Sequence, residues 1–140
     1  MDNEQALRRK LAPQHRGVLA TLKHDGMPQL STISYTYDDG VVRISSPGNT
    51  AKARNLKRDS RVVLHVDGGD SGGYVVAECT GEVSAQAARP DDAVVDELVE
   101  IYRSIAGEHP DWDEFRAAMV AEQRTVLRLT VDRLYGWAPE

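Results

Sequence analysis

Apolar and polar residues alternate in short runs along much of this chain, and turn residues punctuate the runs. Gly17-Val-Leu-Ala-Thr-Leu22 is dominantly apolar with a β-branched bias and predicts a first strand. His24-Asp25-Gly26 reads as a tight turn, and Pro28 to Tyr37 as a second strand, with Leu30, Thr32 and Ser34 opposing Ser31, Ile33 and Tyr35. Asp38-Asp39-Gly40 then leads into a third strand, Val41 to Ser46. Asp-Gly turns between strands of this length are strong hairpin signals. Arg61 to Asp67 predicts a fourth strand and Tyr74 to Ala85 a fifth, interrupted at Gly81, where a bulge or bend is expected. Thr125 to Val131 predicts a sixth, and Tyr135-Gly136-Trp137 follows near the end of the chain. Between the fourth and fifth strands, Gly68 to Gly73 holds four glycines in six residues and reads as a turn.

The remaining segments carry the helical period. Met1 to Arg16 predicts an amphipathic helix with Asp2 or Asn3 as cap, Leu7 and Leu11 one turn apart, and Pro13 as its end. A second helix is expected after Thr50. Pro90-Asp91-Asp92 opens a third, in which Val94, Leu98, Ile101/Tyr102 and Ile105 keep the 3.6 spacing up to Gly107. Pro110-Asp111 begins a fourth with Trp112, Phe115 and Met119 in a stripe, a pattern that ordinarily means core. Six strands, one helix after the third and a helical pair before the last predict an α+β fold. The expected architecture is a six-stranded antiparallel barrel with peripheral helices.

At 140 residues the chain fits a single domain, 1–140, large enough for one core but not for a deep private cofactor cavity as well. The formal net charge of −5 argues against nucleic acid as the main partner. No signal peptide or apolar run near the ~18 residues of a membrane span is evident, so a cytoplasmic location is expected. Cys79 is the single cysteine, which excludes an internal disulfide and fits a reducing compartment.

Two familiar patterns fail. Gly69-Asp70-Ser71-Gly72-Gly73 spells the loop around a trypsin-like nucleophile, but His15, His24, His65 and His109 lie in none of the contexts that a triad needs. A hairpin turn explains it better. Four scattered histidines and no cysteine pair predict no metal site, and His65, within an alternating strand, reads as structural.

One stretch runs against the global charge. Between Lys52 and Arg61 stand Lys52, Arg54, Lys57, Arg58 and Arg61 against Asp59 alone. They follow Ser45-Ser46-Pro47-Gly48-Asn49-Thr50, a small, hydroxyl-rich run in which Thr50 stands at the helix N-cap. Basic residues on the wet face of a short helix are common. Hydroxyl and backbone donors placed directly before them suggest an anion, phosphate above all. The segment is not a P-loop, since Gly-x-x-x-x-Gly-Lys-Ser/Thr is absent.

Gly17 to Thr32 and Asn49 to Arg61 together resemble the pyridoxamine-phosphate-oxidase-like split β-barrels. The resemblance is strongest to their actinobacterial flavin/deazaflavin-dependent branch, which uses coenzyme F420. It continues through Val76-Ala-Glu-Cys-Thr-Gly81, Pro90-Asp-Asp and Tyr102-Arg-Ser-Ile-Ala-Gly-Glu-His-Pro-Asp-Trp112, the most specific piece, and ends at Tyr135-Gly136. The resemblance implies a homodimer holding two cofactors at its interface. Lys52 matches the family's phosphate-gripping lysine, Ser45 and Ser46 the serines ending the third strand, and Arg54, Asn55 and Arg61 nearby contacts to the phosphate and acidic tail. Thr50 completes this set as the cap. Gln29, Leu30, Ser31 and Thr32 match the segment beside the ring system, and Tyr74 and Trp137 are the residues expected from the partner subunit. No catalytic acid or base is marked out. Tyr35 and Tyr37 could protonate a product, but strand tyrosines usually pack.

The implied function is a reductase that moves hydride from reduced deazaflavin to a small, conjugated, unsaturated substrate. An FMN-dependent oxidoreductase and a non-catalytic coenzyme F420 carrier are the alternatives. Pyridoxamine-phosphate oxidation itself is not expected, because the C-terminal substrate motif of those oxidases is missing.

Overall fold

A computed structural model describes residues 2–139; Met1, the expected start of the first helix, and Glu140 lie outside the described residues. In chain order the elements are α1 (Asn3–Leu11), β1 (Arg16–Leu22), β2 (Pro28–Ser34), β3 (Thr36–Asp38), β4 (Val41–Ser46) and α2 (Ala51–Arg58). They continue with β5 (Arg61–Asp67), β6 (Tyr74–Val83), α3 (Ala93–Ala106), α4 (Trp112–Ala121) and β7 (Thr125–Trp137). The strands form one antiparallel sheet in the order β2-β1-β5-β6-β7-β4-β3. It is a curled half-barrel, and the α+β class read from the sequence holds.

The described residues contain seven strands where six were expected, because Pro28–Tyr37 is two strands and not one. The break falls at Tyr35. Its ring is fully buried, its N–H donates to the His15 carbonyl (2.9 Å), and its hydroxyl donates to the Leu11 carbonyl (2.7 Å). Residues 28–34 pair with β1, whereas residues 36–38 pair with β4 at the opposite edge of the sheet. Tyr35 therefore carries the chain across the gap between the two edges, and the sheet curls because one covalent segment belongs to both. The β3–β4 hairpin that follows turns on Asp39 and Gly40, at φ 49° and 80°, as its Asp-Gly signal predicts.

Inward-facing residues fill the curl: Leu19, Val42, Ile44, Leu64, Val66, Val75, Leu127 and Leu129 are all buried. α1 seals the curl with Leu7 and Leu11, and its start is fixed by an Asp2–Gln5 capping box. α2 is capped by Thr50, whose hydroxyl accepts from the Ala53 N–H (3.3 Å), and it buries Ala53 and Leu56. A Cβ on Gly81 would lie 2.7 Å from Leu56 Cδ2, so this glycine admits α2 against β6. The bulge expected there lies elsewhere: Glu78 pairs with Arg133 and Cys79 with Val131, leaving Asp132 as the extra residue on β7. The last strand also runs on through Tyr135-Gly136-Trp137.

α3 and α4 make a second core with Val94, Val95, Leu98, Ile101, Met119 and Val126. An ionic clasp holds α3 to the sheet. Arg43 and Arg128 stand directly opposite each other on β4 and β7, and Glu97 of α3 accepts from both, at 3.0 Å and 2.6 Å. Without that carboxylate the two guanidiniums would repel. Hydrogen bonds from Arg128, then from Arg43, hold the Glu97 carboxyl below its ordinary range, against the effect of burial. A depressed carboxyl contributes stability above its unfolded pKa near 4.5, lost as pH falls through the lower folded value. Glu97→Gln is expected to lose this component. Its thermal midpoint should drop less than that of the wild type between about pH 6 and about pH 3, as followed by circular dichroism.

Candidate functional site

Where the two sheet edges approach, β2 comes back beside β4 and leaves a hollow of about 330 Å³. Thr32 and Ser34 enter it from β2, Ser45 from the outward side of β4, and Ile101 and Ile105 from α3. Lys52 reaches it from the first turn of α2, and Arg124 from just before β7. Two local features bring these cations together. Ser45 and Ser46 pair with Val126 and Thr125, which sets Arg124 beside the end of β4. The Pro47-Gly48 turn also leans on the α4–β7 connection so closely that a Cβ on Gly48 would stand 2.3 Å from the Gln123 carbonyl oxygen.

Arg124 is partly neutralised: its guanidinium donates to Glu122 (2.8 Å) and to the Ser45 hydroxyl (3.2 Å). Lys52 is not. Among the described residues it has no hydrogen-bond or ion-pair partner, and burial first, then Arg124, push its pKa below the ordinary lysine value. A half-desolvated ammonium beside a second cation is a costly arrangement without an anion. A phosphate in the hollow would reverse both effects and meet hydroxyls from Thr32, Ser34 and Ser45. The donor set fits a phosphorylated cofactor.

The other expected contacts divide. Ser45 and Thr32 line the hollow with Lys52. Ser46 is fully buried, its hydroxyl bonded to Thr50 (2.9 Å) and the Pro47 carbonyl (3.0 Å), while Thr50 also caps α2; both serve to shape the turn. Arg54 donates to Asn49, and the exposed Arg61 is held by Asp59 (2.8 Å), so neither points into the hollow. The Asp59 carboxyl is correspondingly low, at about 2, through its hydrogen bonds from Arg61. Asn55 is buried and bonds Thr21 and Gln29, lining with Gln29, Lys23 and Arg58 a separate hollow of about 390 Å³ on the other flank of α2. Ser31 faces inward beside Gln29, whereas Leu30 faces outward and is 66 % exposed. Tyr74 and Trp137 are cross-strand partners on β6 and β7, both exposed.

The positions of several other residues bear on further expectations. His65 is exposed on β5 and stacks on Tyr74 (5.5 Å). Ser71 donates to the Gly68 carbonyl and accepts from Lys10 Nζ (2.7 Å), with no histidine among its hydrogen-bond partners. Among the described residues no group of three or more His, Cys, Asp or Glu could hold a metal. No helix is long and apolar enough to cross a membrane. Of the aromatic stripe only Met119 is buried; Trp112 and Phe115 are half-buried and pack on Tyr102, at 5.8 and 5.1 Å.

The hollow-lining residue that sequence reasoning missed is Arg124. Its position beside Lys52 depends on β7 pairing with β4, which no local pattern announces.

The family model for pyridoxamine 5'-phosphate oxidase matches residues 4–138. The chain belongs to that family. Members of the pyridoxamine 5'-phosphate oxidase family include oxidoreductases, and solved structures with this family's split-barrel fold resemble the chain over nearly its whole length. An F420 reductase is 22% identical with a TM-score of 0.65, covering 91% of this chain and 94% of its own. A FAD-binding protein from Mesorhizobium loti is 19% identical with a TM-score of 0.70, covering 96% and 92%. A heme storage protein from Vibrio cholerae is 14% identical with a TM-score of 0.68, covering 96% and 94%. One fold thus carries different cofactors, and the choice among them rests on the residues of each chain.

Proposed function

We propose that this member of the family is a coenzyme F420-dependent reductase acting as a cytoplasmic homodimer. The observation that carries the reading is Lys52, a partly desolvated cation without a counter-ion, set beside Arg124 at the seam of the barrel. Lys52, Ser45 and Thr32 would hold the cofactor phosphate, with Arg124 adding positive field. The Gln29–Thr32 segment, which borders the same seam, would run beside the ring system. Lys23 and Arg58 line the second hollow, and among the described residues Arg58 donates to the Leu22 carbonyl and the Asn55 amide oxygen. Asp25 lines this hollow too, but the two cations outnumber it and leave positive charge beyond the phosphate, which suits the acidic tail of the deazaflavin cofactor; FMN carries no such tail.

Bound coenzyme F420 would supply a hydride for a small, conjugated, unsaturated substrate. The chain's share is to orient the ring and exclude water. Tyr35 does not serve as a proton donor to substrate in this reading: burial raises its pKa, and its hydroxyl is committed to Leu11.

The dimer is supported by the outer face of β2, β1, β5 and β6 with the Tyr135–Trp137 end of β7, the part of the sheet away from α3, which packs on the outer side of β4 and the start of β7. Leu30, Tyr74, Tyr135 and Trp137 are exposed there, Trp137 to 62 %. Val18, Ala20 and Val63 lie between them on β1 and β5, in rows set by the strand register. An apolar and aromatic surface of this kind, with His65 and the Glu78–Arg133 pair set within it, is typical of an interface.

FMN is the second reading, supported by the family match and the FAD-binding neighbour, and a non-catalytic carrier the third, supported by the heme storage neighbour. Fluorescence titration of the purified protein with coenzyme F420 and with FMN decides among them. The expected result is tighter binding of coenzyme F420 and oxidation of its reduced form when an enone or quinone is added. Preference for FMN would replace the cofactor, and binding without turnover on any acceptor would leave a carrier.

A further inference from the structure

Lys52 has a second chemical property besides its charge. Among the described residues its side-chain nitrogen has no hydrogen-bond or ion-pair partner, and no carboxylate lines the hollow it enters. Burial and the neighbouring Arg124 both disfavour the protonated form. A lysine partly desolvated beside another cation is an activated nucleophile. The chain's three other lysines are set differently. Lys10 is buried with its Nζ donating to Ser71 (2.7 Å), and Lys23 and Lys57 are exposed.

The lining of the hollow limits the electrophile. An anionic reagent would draw a proton back onto the amine as it entered, whereas a neutral one leaves the amine free. The product, in contrast, is best an anion. Formed on Lys52, it turns two repelling cations into an ion pair with Arg124. Beyond its bonds to Glu122 and Ser45, the Arg124 guanidinium retains unused N–H groups for such an anion. Carbon dioxide meets both requirements, since it is small and uncharged and its adduct with an amine is a carboxylate.

We propose that Lys52 is a carbon dioxide-binding residue that carries a carbamate in the open hollow. The amine lone pair adds to the carbon, a C=O π pair moves onto oxygen, and one N–H proton leaves to water. No oxidant, reductant or further reactant is needed. Arg124 is a positioning residue in two ways: its charge favours the free amine before the step and holds the anion after it. Carbamate and phosphate are exclusive occupants, so carbon dioxide opposes cofactor binding. That consequence rests on the cofactor reading, whereas the carbamate rests on the hollow alone.

The test equilibrates the protein with isotope-labelled bicarbonate at one mildly alkaline pH and traps carbamates as ethyl esters with triethyloxonium. Peptide mass spectrometry then reads the label at each lysine. The expected result is label on Lys52 well above Lys23 and Lys57. Arg124→Gln should lower it about tenfold or more. Glu122→Gln, which removes an exposed counter-ion of Arg124, should raise it, and it keeps the test open if Arg124→Gln fails to fold by circular dichroism. Label on Lys52 no higher than on Lys57, or unchanged by both substitutions, overturns the proposal. Label on Lys52 in a protein that does not bind coenzyme F420 upholds the carbamate and removes the cofactor reading. Coenzyme F420 binding to a protein whose Lys52 takes no label does the reverse.

Discussion

Lys52→Met should separate ligand binding from folding. The variant replaces a cation that burial and Arg124 both disfavour with an apolar side chain of similar reach. Its ligand-free thermal midpoint is expected to equal or exceed that of the wild type. Its affinity for coenzyme F420 should fall about tenfold to a hundredfold, because a charge-assisted contact contributes roughly 1.5–3 kcal/mol. A structural lysine would show the opposite pattern, with stability lost and any ligand effect secondary. The sign of the midpoint change is therefore the sharper part of the test. Unchanged affinity would remove Lys52 from the site whatever the stability did.

The second large effect is expected at the outer face of the sheet. Leu30 on β2 points away from the core and is more exposed than any other leucine among the described residues. In a two-fold dimer each such residue is used twice. Burying a leucine contributes about 1.5–3 kcal/mol, so Leu30→Glu should weaken association by roughly a hundredfold or more. Light scattering across a dilution series would report it as a shift from dimer to monomer. Because Gln29, Ser31 and Thr32 belong to the same strand, cofactor affinity should fall with dimer concentration. A wild type that is monomeric at every concentration would remove the interface.

The parts of this architecture that were legible in the sequence are those decided locally. β5 begins at Arg61 and ends at Asp67 as its alternation predicts, Thr50 caps α2 as expected, and α3 and α4 start directly after the Pro90–Asp92 and Pro110–Asp111 signals, with Asp92 and Asp111 as their caps. Tyr35 escaped detection because alternation continues through it: the break is imposed by a distant carbonyl of Leu11, not by any breaker residue. Gly81 was misread for a related reason. Glycine in a strand signals either a bulge or a close approach, and only the position of Leu56 decides between them. The basic run after Thr50 read as one cationic patch, yet the structure sends Arg54 to Asn49, Arg61 to Asp59 and Lys52 alone into the hollow. Arg124 was invisible because strand order, not spacing, brings it there.

β7 lies between β6 and β4, so among the described residues it is the strand whose ladder hydrogen bonds join β2-β1-β5-β6 to the β3–β4 hairpin. A nascent chain can form the early hairpins as soon as they emerge, but their open flanks stay unpaired until the final strand arrives. Every ligand contact that depends on Arg124 waits for the same event. The closed outline of the sheet and the Lys52–Arg124 hollow therefore both wait for β7 to pair with β4, and a chain truncated before Thr125 is expected to have neither.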